Sequence, residues 1–166
     1  MTRAVPLWKR PVDAFYFAFF ALHLCASLCV DNYLEQSADP LLPHAWEPRY
    51  AWMRMALFSE FVLQVPAFVL GLYALWKDDR RLYPVLVAYG AIACFTTIQC
   101  IAMVTIGEER QQLSSAQLQF ILQCVGFHSH RNYVPFMLIP GLLCIDMVVR
   151  TARLLPAPRT AHIKST

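Results

Sequence analysis

Four long apolar stretches, almost free of charge, dominate the chain. They cover residues 12–30, 55–76, 83–106 and 132–149, and the only charges within them are Asp13, Glu60 and Asp146. An α-helix needs about 20 such residues to cross the hydrocarbon core of a bilayer. We therefore predict an all-α fold in which four transmembrane helices form a bundle. The expected spans are about residues 12–31, 53–76, 83–106 and 132–154, within a single membrane domain of residues 1–166.

Composition and net charge narrow the class of protein further. The 166 residues are 58% hydrophobic and 15% charged, with a net charge of +3. Soluble domains have roughly 25% charged residues, so an ordinary cytosolic enzyme is disfavoured. The small net charge also disfavours a nucleic-acid partner, which would need a concentrated basic surface. Only five glycines are present, which leaves little material for a phosphate-binding loop, and we expect no cofactor.

Basic residues are shared unevenly between the two sets of loops. Ten of the 14 lysines and arginines lie at the N-terminus, in the loop over residues 77–81 and in the C-terminal tail, whereas four lie in the two longer loops. The positive-inside rule then places both termini in the cytosol. The loops over residues 31–54 and 107–131 would face the lumen or the exterior. In the second of these, Ser114 and Gln117 have the spacing of a capping box that begins a short helix.

Cysteines and histidines carry little chemical signal. The six cysteines have neither the loop spacing of a disulfide framework nor the paired spacing of a zinc site, so we expect them to be packing residues. His128 and His130 are separated by one residue, but two histidines without further ligands form a weak metal-binding signal. We therefore predict no metal site.

Polar residues at membrane depth carry the functional signal, because an ionisable side chain in hydrocarbon normally faces a partner or a ligand. Glu60 and Gln64 are one helical turn apart and share a face, and Pro66 should bend the same helix nearby. His23, Ser27 and Asp31, spaced four residues apart, share a face of the first span. The third and fourth spans add residues that we expect to line the same space: Thr96, Thr97, Tyr133 and Phe136.

Together these residues predict an acidic pocket between the four helices, with Asp31 and Glu60 at its centre. Two adjacent carboxylates in a low dielectric cannot both ionise easily, so one should be protonated and donate a hydrogen bond to the other. The ionised carboxylate would attract a cation. The alternative is that Glu60 is neutral in an interhelical hydrogen bond and Asp31 is an exposed helix end. Asp146 and Arg150, four residues apart, are expected to form a local ion pair.

Two sequence runs resemble a known family. Residues 57–68, LFSEFVLQVPAF, are similar to the second-helix signature of the sigma-2 receptor (transmembrane protein 97) family, and residues 132–141, NYVPFMLIPG, resemble its fourth-helix motif. The spacing of His23 and Asp31 also fits, as does Asp39 at the start of the run DPLL in the first loop. That family belongs to the EXPERA superfamily, which also contains the emopamil-binding sterol isomerases.

The resemblance implies a multi-pass protein of the endoplasmic reticulum membrane that forms a homodimer. Another intracellular membrane, or membership of a larger membrane complex, is the alternative. It implies binding of sterols or other lipids and of cationic amphiphilic small molecules. By position, Asp31 would pair with the ammonium group of the ligand and Glu60 would orient that aspartate. The remaining matched positions are pocket residues, His23, Gln64, Thr96, Thr97, Tyr133 and Phe136, and structural residues, Asp39, Pro66 and Pro140.

Three functional classes follow from these features. The first is a non-enzymatic protein that binds sterols and amines and regulates sterol homeostasis or trafficking, and we favour it. The second is a sterol isomerase, because a carboxylate that attracts an ammonium group would also stabilise a carbocation. His23, Asp31 and Glu60 would then move the proton, but they cluster at one end of the pocket. The third is an accessory subunit of a larger complex that does not use the pocket.

Overall fold

The computed structural model describes residues 5–30, 46–107, 111, 113–117 and 133–155. Every regular element within these ranges is helical. The long helices are α1 (Pro11–Val30), α2 (Ala51–Ser59), α3 (Val65–Lys77), α4 (Tyr83–Ile106) and α5 (Tyr133–Leu154).

Helices α2 and α3 belong to one continuous rod, Pro48–Lys77, which is 30 residues long. It opens with a 3-10 turn over Pro48–Tyr50, and a π-helical segment, Glu60–Gln64, joins α2 to α3. With this rod counted once, the described residues contain four helical stretches long and apolar enough to cross a membrane. The predicted all-α architecture with four spans is confirmed, and the observed helices lie close to the expected residue ranges.

The turn between the second and third spans shows how local chemistry sets helix ends. Helix α3 ends at Lys77, and Asp78 follows with φ 55° and ψ 40°, in the left-handed region that aspartate tolerates better than most residues. The amide of Asp79 then donates to the carbonyl of Ala74 at 2.9 Å. The Asp79 carboxylate in turn accepts a hydrogen bond from the amide of Arg81 at 3.1 Å. The first bond satisfies a carbonyl at the end of α3, and the second caps the 3-10 turn over Arg80–Leu82.

The helices pack chiefly as two pairs, α1 with α3 and α4 with α5. One apolar core joins all four, and its fully buried members are Phe20, Phe68, Leu75, Leu86, Leu143 and Met147. Helices α4 and α5 approach closely at Gly90 of α4, where an added Cβ would stand 2.6 Å from the carbonyl oxygen of Pro140. Small residues allow backbones in a membrane to approach this closely. Cys144 also packs against Gly90, consistent with the expected packing role of the cysteines.

The outer surface of the bundle is apolar along its length. Large side chains such as Leu22, Phe95 and Ile145 are each more than 60% exposed, which suits contact with lipid tails. Trp8 and Trp76 are exposed near one end of the bundle and Trp46 near the other. Tryptophan is enriched at both interfaces of membrane proteins. The placement of these side chains therefore agrees with a bundle that spans a bilayer.

At the end of the bundle that includes the start of the Pro48–Lys77 rod, a second apolar cluster contains Tyr50, Met53, Val104 and Leu113. Next to it the predicted capping box is present. The amide of Ser114 donates to Oε1 of Gln117 at 2.9 Å, and the amide of Gln117 donates to Oγ of Ser114 at 3.2 Å. These reciprocal bonds fix the first turn of a helix. The rest of the helix expected here lies outside the described residues.

At the opposite end, the carboxylate of Asp13 joins three helices. Asp13 is only 3% exposed. It accepts hydrogen bonds from Arg10 and, at 2.6 Å, from Arg150 near the end of α5. Arg150 also donates to Asp146 at 3.0 Å, which confirms the ion pair expected from their spacing. Arg10 reaches α3 by donating to the carbonyl of Leu75 at 2.5 Å. The start of α1 and the end of α5 therefore meet at one end of the bundle, and the cytosolic location of that end stays a prediction.

Candidate ligand-binding site within the bundle

Glu60 lies well inside the membrane-spanning rod. It is 12 residues from Pro48 and 17 from Lys77, so at 1.5 Å per residue it sits roughly 18 Å and 25 Å from the two ends. Arg54, the nearest charge along the rod, turns away and donates to the carbonyl of Trp46 at 3.0 Å. Glu60 is therefore the only ionisable residue between Arg54 and Lys77 other than Tyr73.

The π-helical segment that begins at Glu60 has a physical cause in Pro66. Proline lacks the amide that would bond one turn back, and its ring collides with the carbonyl at that position. The chain widens instead, and the amide of Val65 donates to the carbonyl of Glu60, five residues earlier. Single π-helical turns of this kind occur often at functional sites. The bend expected at Pro66 thus takes the form of a widened turn that carries Glu60 and Gln64.

Two polar residues of α1 face the Glu60 carboxylate. The hydroxyl of Ser27 donates to Oε1 of Glu60 at 2.5 Å. One turn earlier on α1, Nε2 of His23 lies 3.9 Å from the same oxygen. The side chain of Glu60 is 32% exposed and that of His23 is 12% exposed. The predicted shared face of α1 is therefore turned towards Glu60, and Ser27 donates a hydrogen bond directly to the Glu60 carboxylate.

Aromatic rings enclose His23 on three sides. The ring centroids of Phe68 and Phe136 lie 4.5 Å and 4.6 Å from that of His23, and Phe19 makes an edge contact at 5.3 Å. These rings come from α3, α5 and α1, so the wall is assembled by the fold as a whole. Phe136 presents an apolar ring to the imidazole of His23. The wall suits an apolar molecule with a positive charge.

Two buried polar atoms near this wall have no hydrogen-bond partner within the described part of the chain. They are Nδ1 of His23 and the hydroxyl oxygen of Tyr89. Both side chains contact Phe68, with Tyr89 at 5.3 Å between ring centroids. Burying a polar group without a partner is unfavourable, and such exceptions are few in folded proteins. They mark the region around Phe68 as one where a ligand can supply hydrogen bonds.

Comparison with known proteins identifies the family. The model of the EXPERA family (expanded EBP superfamily) matches residues 14–147. The chain belongs to the EXPERA family. It is accordingly a multi-pass integral membrane protein, in agreement with its four apolar helices. It is also similar to the efficient mitochondria targeting-associated protein 19 of Schizosaccharomyces pombe, with 28% identity over 86% of this chain and 78% of that protein. Membership of the narrower sigma-2 receptor family stays a prediction.

The structure brings part of the predicted pocket of this EXPERA protein together. His23, Glu60 and Phe136 lie in one contact region, and Gln64 is buried on the same π-helical turn as Glu60. Pro66 ends that turn and Pro140 is fully buried within α5. Asp31, Asp39 and the side chain of Tyr133 lie outside the described residues.

The two threonines of α4 use their hydroxyls locally. Thr96 donates to the carbonyl of Ile92 at 3.0 Å, and Thr97 donates to that of Ala93 at 2.8 Å. Serine and threonine in helices commonly bond one turn back in this way. Thr97 also lies beside α5, with its hydroxyl 3.5 Å from the carbonyl of Phe136. Thr96 instead lines a separate cleft of about 300 Å³ against α2. Their part in ligand binding stays a prediction.

Sequence reasoning missed Tyr89 and the direct donor role of Ser27. Ser27 was visible in the pattern, because it lies midway between His23 and Asp31 on one helical face. Tyr89 had no such signal, because no face of α4 is clearly polar and a tyrosine in such a helix is usually a core or interface residue. Only the packing of Phe20 and Phe68 against its ring shows that Tyr89 points inward.

Proposed function

We propose that this EXPERA protein is a non-enzymatic membrane protein that binds sterols and cationic amphiphilic molecules beside Glu60. The observation that carries the proposal is the setting of that carboxylate. It lies deep within an apolar helix, accepts a 2.5 Å hydrogen bond from Ser27 and borders the aromatic wall around His23. Acidic residues at such depth are energetically costly and usually mark a ligand or ion site.

The chemistry of the site supports a ligand with two parts. A carboxylate attracts an ammonium group, and the faces of Phe68 and Phe136 add cation–π attraction. The same rings accept the flat apolar body of a sterol. We carry over from the resemblance that Asp31, four residues after Ser27 in the sequence, pairs directly with the ammonium group, and that Glu60 orients the Asp31 side chain. Gln64, Thr96, Thr97 and Tyr133 complete the proposed pocket wall.

The test is ligand binding by the full chain in detergent or nanodiscs. A cationic sterol-like amine and an uncharged sterol are titrated against wild type, Glu60→Gln and Asp31→Asn. Because a hydrogen bond to a charged group contributes about 1.5–3 kcal/mol, each substitution should weaken amine binding by roughly tenfold to a hundredfold. Binding of the uncharged sterol should change much less.

The matched control is Asp146→Asn, which removes the other acid found well within an apolar span. Asp146 lies beside Arg150 at the far end of the bundle, so its loss should leave amine affinity unchanged. Unchanged amine affinity in both Asp31→Asn and Glu60→Gln would rule out the ammonium site. Equal losses in Asp146→Asn would show that the substitutions act through the fold instead.

The second candidate is a sterol double-bond isomerase, favoured by the pairing of His23 with Glu60 at 3.9 Å. Such a reaction needs one group to donate a proton to the double bond and another to remove a proton from the adjacent carbon. Both candidate groups lie on the same side of the aromatic wall. Incubation of the purified protein with an unsaturated sterol, followed by mass spectrometry and NMR of the product, tests it. A shifted double bond that is lost in Glu60→Gln would replace the first proposal with this one.

We further propose residence in the endoplasmic reticulum, from the resemblance to the sigma-2 receptor family, as a homodimer or a member of a larger complex. The name of the fission yeast relative associates that protein with mitochondria targeting. Fractionation of cells that express the tagged chain, with marker proteins for both organelles, distinguishes the two membranes. Size measurement of the detergent-solubilised chain distinguishes a dimer from a larger assembly, in which the chain would act as an accessory subunit.

A further inference from the structure

A second cleft lies at the end of the bundle opposite the capping box and has no part in the proposed pocket. It has a volume of about 300 Å³ and is formed by the starts of α1 and α4 with the end of α5. Its charged lining consists of four arginines and two aspartates: Arg10, Arg80, Arg150, Arg153, Asp13 and Asp78. The wall of the cleft therefore carries an excess of positive charge.

The two aspartates make their closest ion-pair contacts with Arg10 and Arg150. Asp13 accepts hydrogen bonds from Arg10 and Arg150, which hold it between α1 and α5. Asp78 lies 3.6 Å from Arg10 and also accepts a bond from the amide of Val5 at 3.4 Å. These contacts fix the positions of Arg10 and Arg150 at the base of the cleft and leave little carboxylate charge for the other arginines.

Arg80 and Arg153 are the less compensated pair. The Arg80 guanidinium is 4.0 Å from Asp78 and its side chain is 55% exposed. Arg153 is exposed and makes no ion pair with any carboxylate in the part of the chain that the structure describes. The two arginines come from the turn before α4 and from the last turn of α5, yet both line one cleft. Guanidinium groups on two sides of a cleft suit bidentate recognition of a phosphate.

The surroundings of the cleft favour a lipid as the source of that phosphate. Its lining includes the apolar side chains of Val5 and Leu154 beside the arginines. Trp76, 58% exposed, lies at the same end of the bundle, where an interfacial tryptophan is expected. This end is predicted to face the cytosol, where most of the basic residues are also predicted to lie and where anionic lipids concentrate.

We propose that this cleft binds the phosphate of an anionic phospholipid headgroup, with Arg80 and Arg153 as its direct ligands. Arg10 and Arg150, held by Asp13, form the positive base of the site. The acyl chains would run along the apolar outer surface of the bundle. The site is independent of the proposed pocket at Glu60, so either proposal can fail without the other.

The test measures lipid selectivity of the full chain in nanodiscs of phosphatidylcholine with and without phosphatidylglycerol. Lipid retained by the repurified protein is quantified by mass spectrometry. Each arginine that contacts the headgroup should contribute about fivefold to the preference for phosphatidylglycerol, so Arg80→Gln with Arg153→Gln should lower it by roughly 20- to 30-fold. Neither side chain takes part in the Asp13 bonds, so the thermal stability of this double variant should match wild type.

The matched control removes two positive charges from the same end without altering the cleft. Lys77→Gln with Arg81→Gln does this, since neither residue lines the cleft. A much smaller loss of preference in the control supports a specific site. Equal losses in the two double variants would show diffuse attraction and overturn the proposal, as would the absence of any preference in wild type. Displacement of phosphatidylglycerol by inorganic phosphate would assign the arginines to a free anion and overturn the lipid assignment.

Discussion

Replacement of Gly90 by alanine probes the close contact between α4 and α5. A Cβ at this position would lie 2.6 Å from the carbonyl oxygen of Pro140 and 2.9 Å from Cβ of Cys144. Ordinary contact begins at 3.4 Å, so α4 and α5 must separate by about 0.8 Å, the difference between the two distances. The obstructing oxygen belongs to the backbone of α5 and cannot rotate away. We therefore expect Gly90→Ala to lower the free energy of unfolding.

The magnitude follows from two opposing contributions. Overpacking of a tight interior costs about 1–3 kcal/mol, and a backbone obstruction places this site in the upper half of that range. Alanine is favoured over glycine in a helix by roughly 1 kcal/mol, which offsets part of the loss. The net destabilisation is then about 1–2 kcal/mol. For a chain of this length it corresponds to a decrease in Tm of about 3–6 °C.

The assay is thermal unfolding of the purified protein in detergent, followed by the helical circular dichroism signal. Gly141→Ala is the matched control, because the nearest atom to its Cβ would be the sulfur of Cys94 at 3.2 Å, and Cβ of Cys94 would lie at 4.0 Å. That sulfur ends a side chain that can rotate, so Tm should stay the same or rise slightly. Adding Cys144→Ala should not rescue Gly90→Ala, since the Pro140 oxygen remains. A Tm for Gly90→Ala equal to or above that of Gly141→Ala would refute the reasoning.

Three further substitutions test other features of the fold and site. Asp13→Asn should lower the free energy of unfolding by about 3 kcal/mol, because it leaves two arginines without their shared carboxylate. Thermal unfolding measures the change, and the control Asp79→Asn, in the turn after α3, should alter Tm little. Tyr89→Phe removes a buried hydroxyl without a partner in the described residues, so the same assay should show unchanged or raised Tm, and a marked decrease would contradict this. Pro66→Ala should relax the π-helical turn and reorient Glu60; unchanged affinity for a cationic amine would argue against a role for that turn.

The overall fold was predictable because charge is so costly in hydrocarbon. The long apolar stretches between charged residues had to be helical to span the bilayer, and the observed helices lie close to the predicted ranges. The π-helical segment was less accessible, because five residues are too few to distinguish its period from that of an α-helix. Pro66 was the available signal, and it indicated a disturbance without specifying its form. Likewise, Asp13 stood out only as the charge at the start of α1, while its bond to Arg150 joins residues 137 positions apart.

The candidate site was predictable along each helix but not between helices. Spacing placed His23, Ser27 and Asp31 on one face of α1 and Glu60 with Gln64 on one face of the rod. Which faces meet depends on packing, and the bond from Ser27 to Glu60 emerges only from the pairing of α1 with the second span. Helix α4 is apolar on all sides, so its sequence did not reveal that Thr96 faces a cleft against α2 or that Tyr89 points into the core.

The acidic residues within the described spans have different bonding partners, and this difference supports the different roles proposed here for them. Asp13 and Asp146 both bond to the Arg150 guanidinium at one end of the bundle; the Asp13 bond joins α1 to α5, and the Asp146 bond lies within α5. Glu60 bonds to a serine hydroxyl and faces a histidine ring. A hydroxyl stabilises a carboxylate without neutralising it, and the aromatic wall beside it repels no cation. In the proposed site, an ammonium group would be attracted to the Glu60 carboxylate as the guanidinium groups are to that of Asp13.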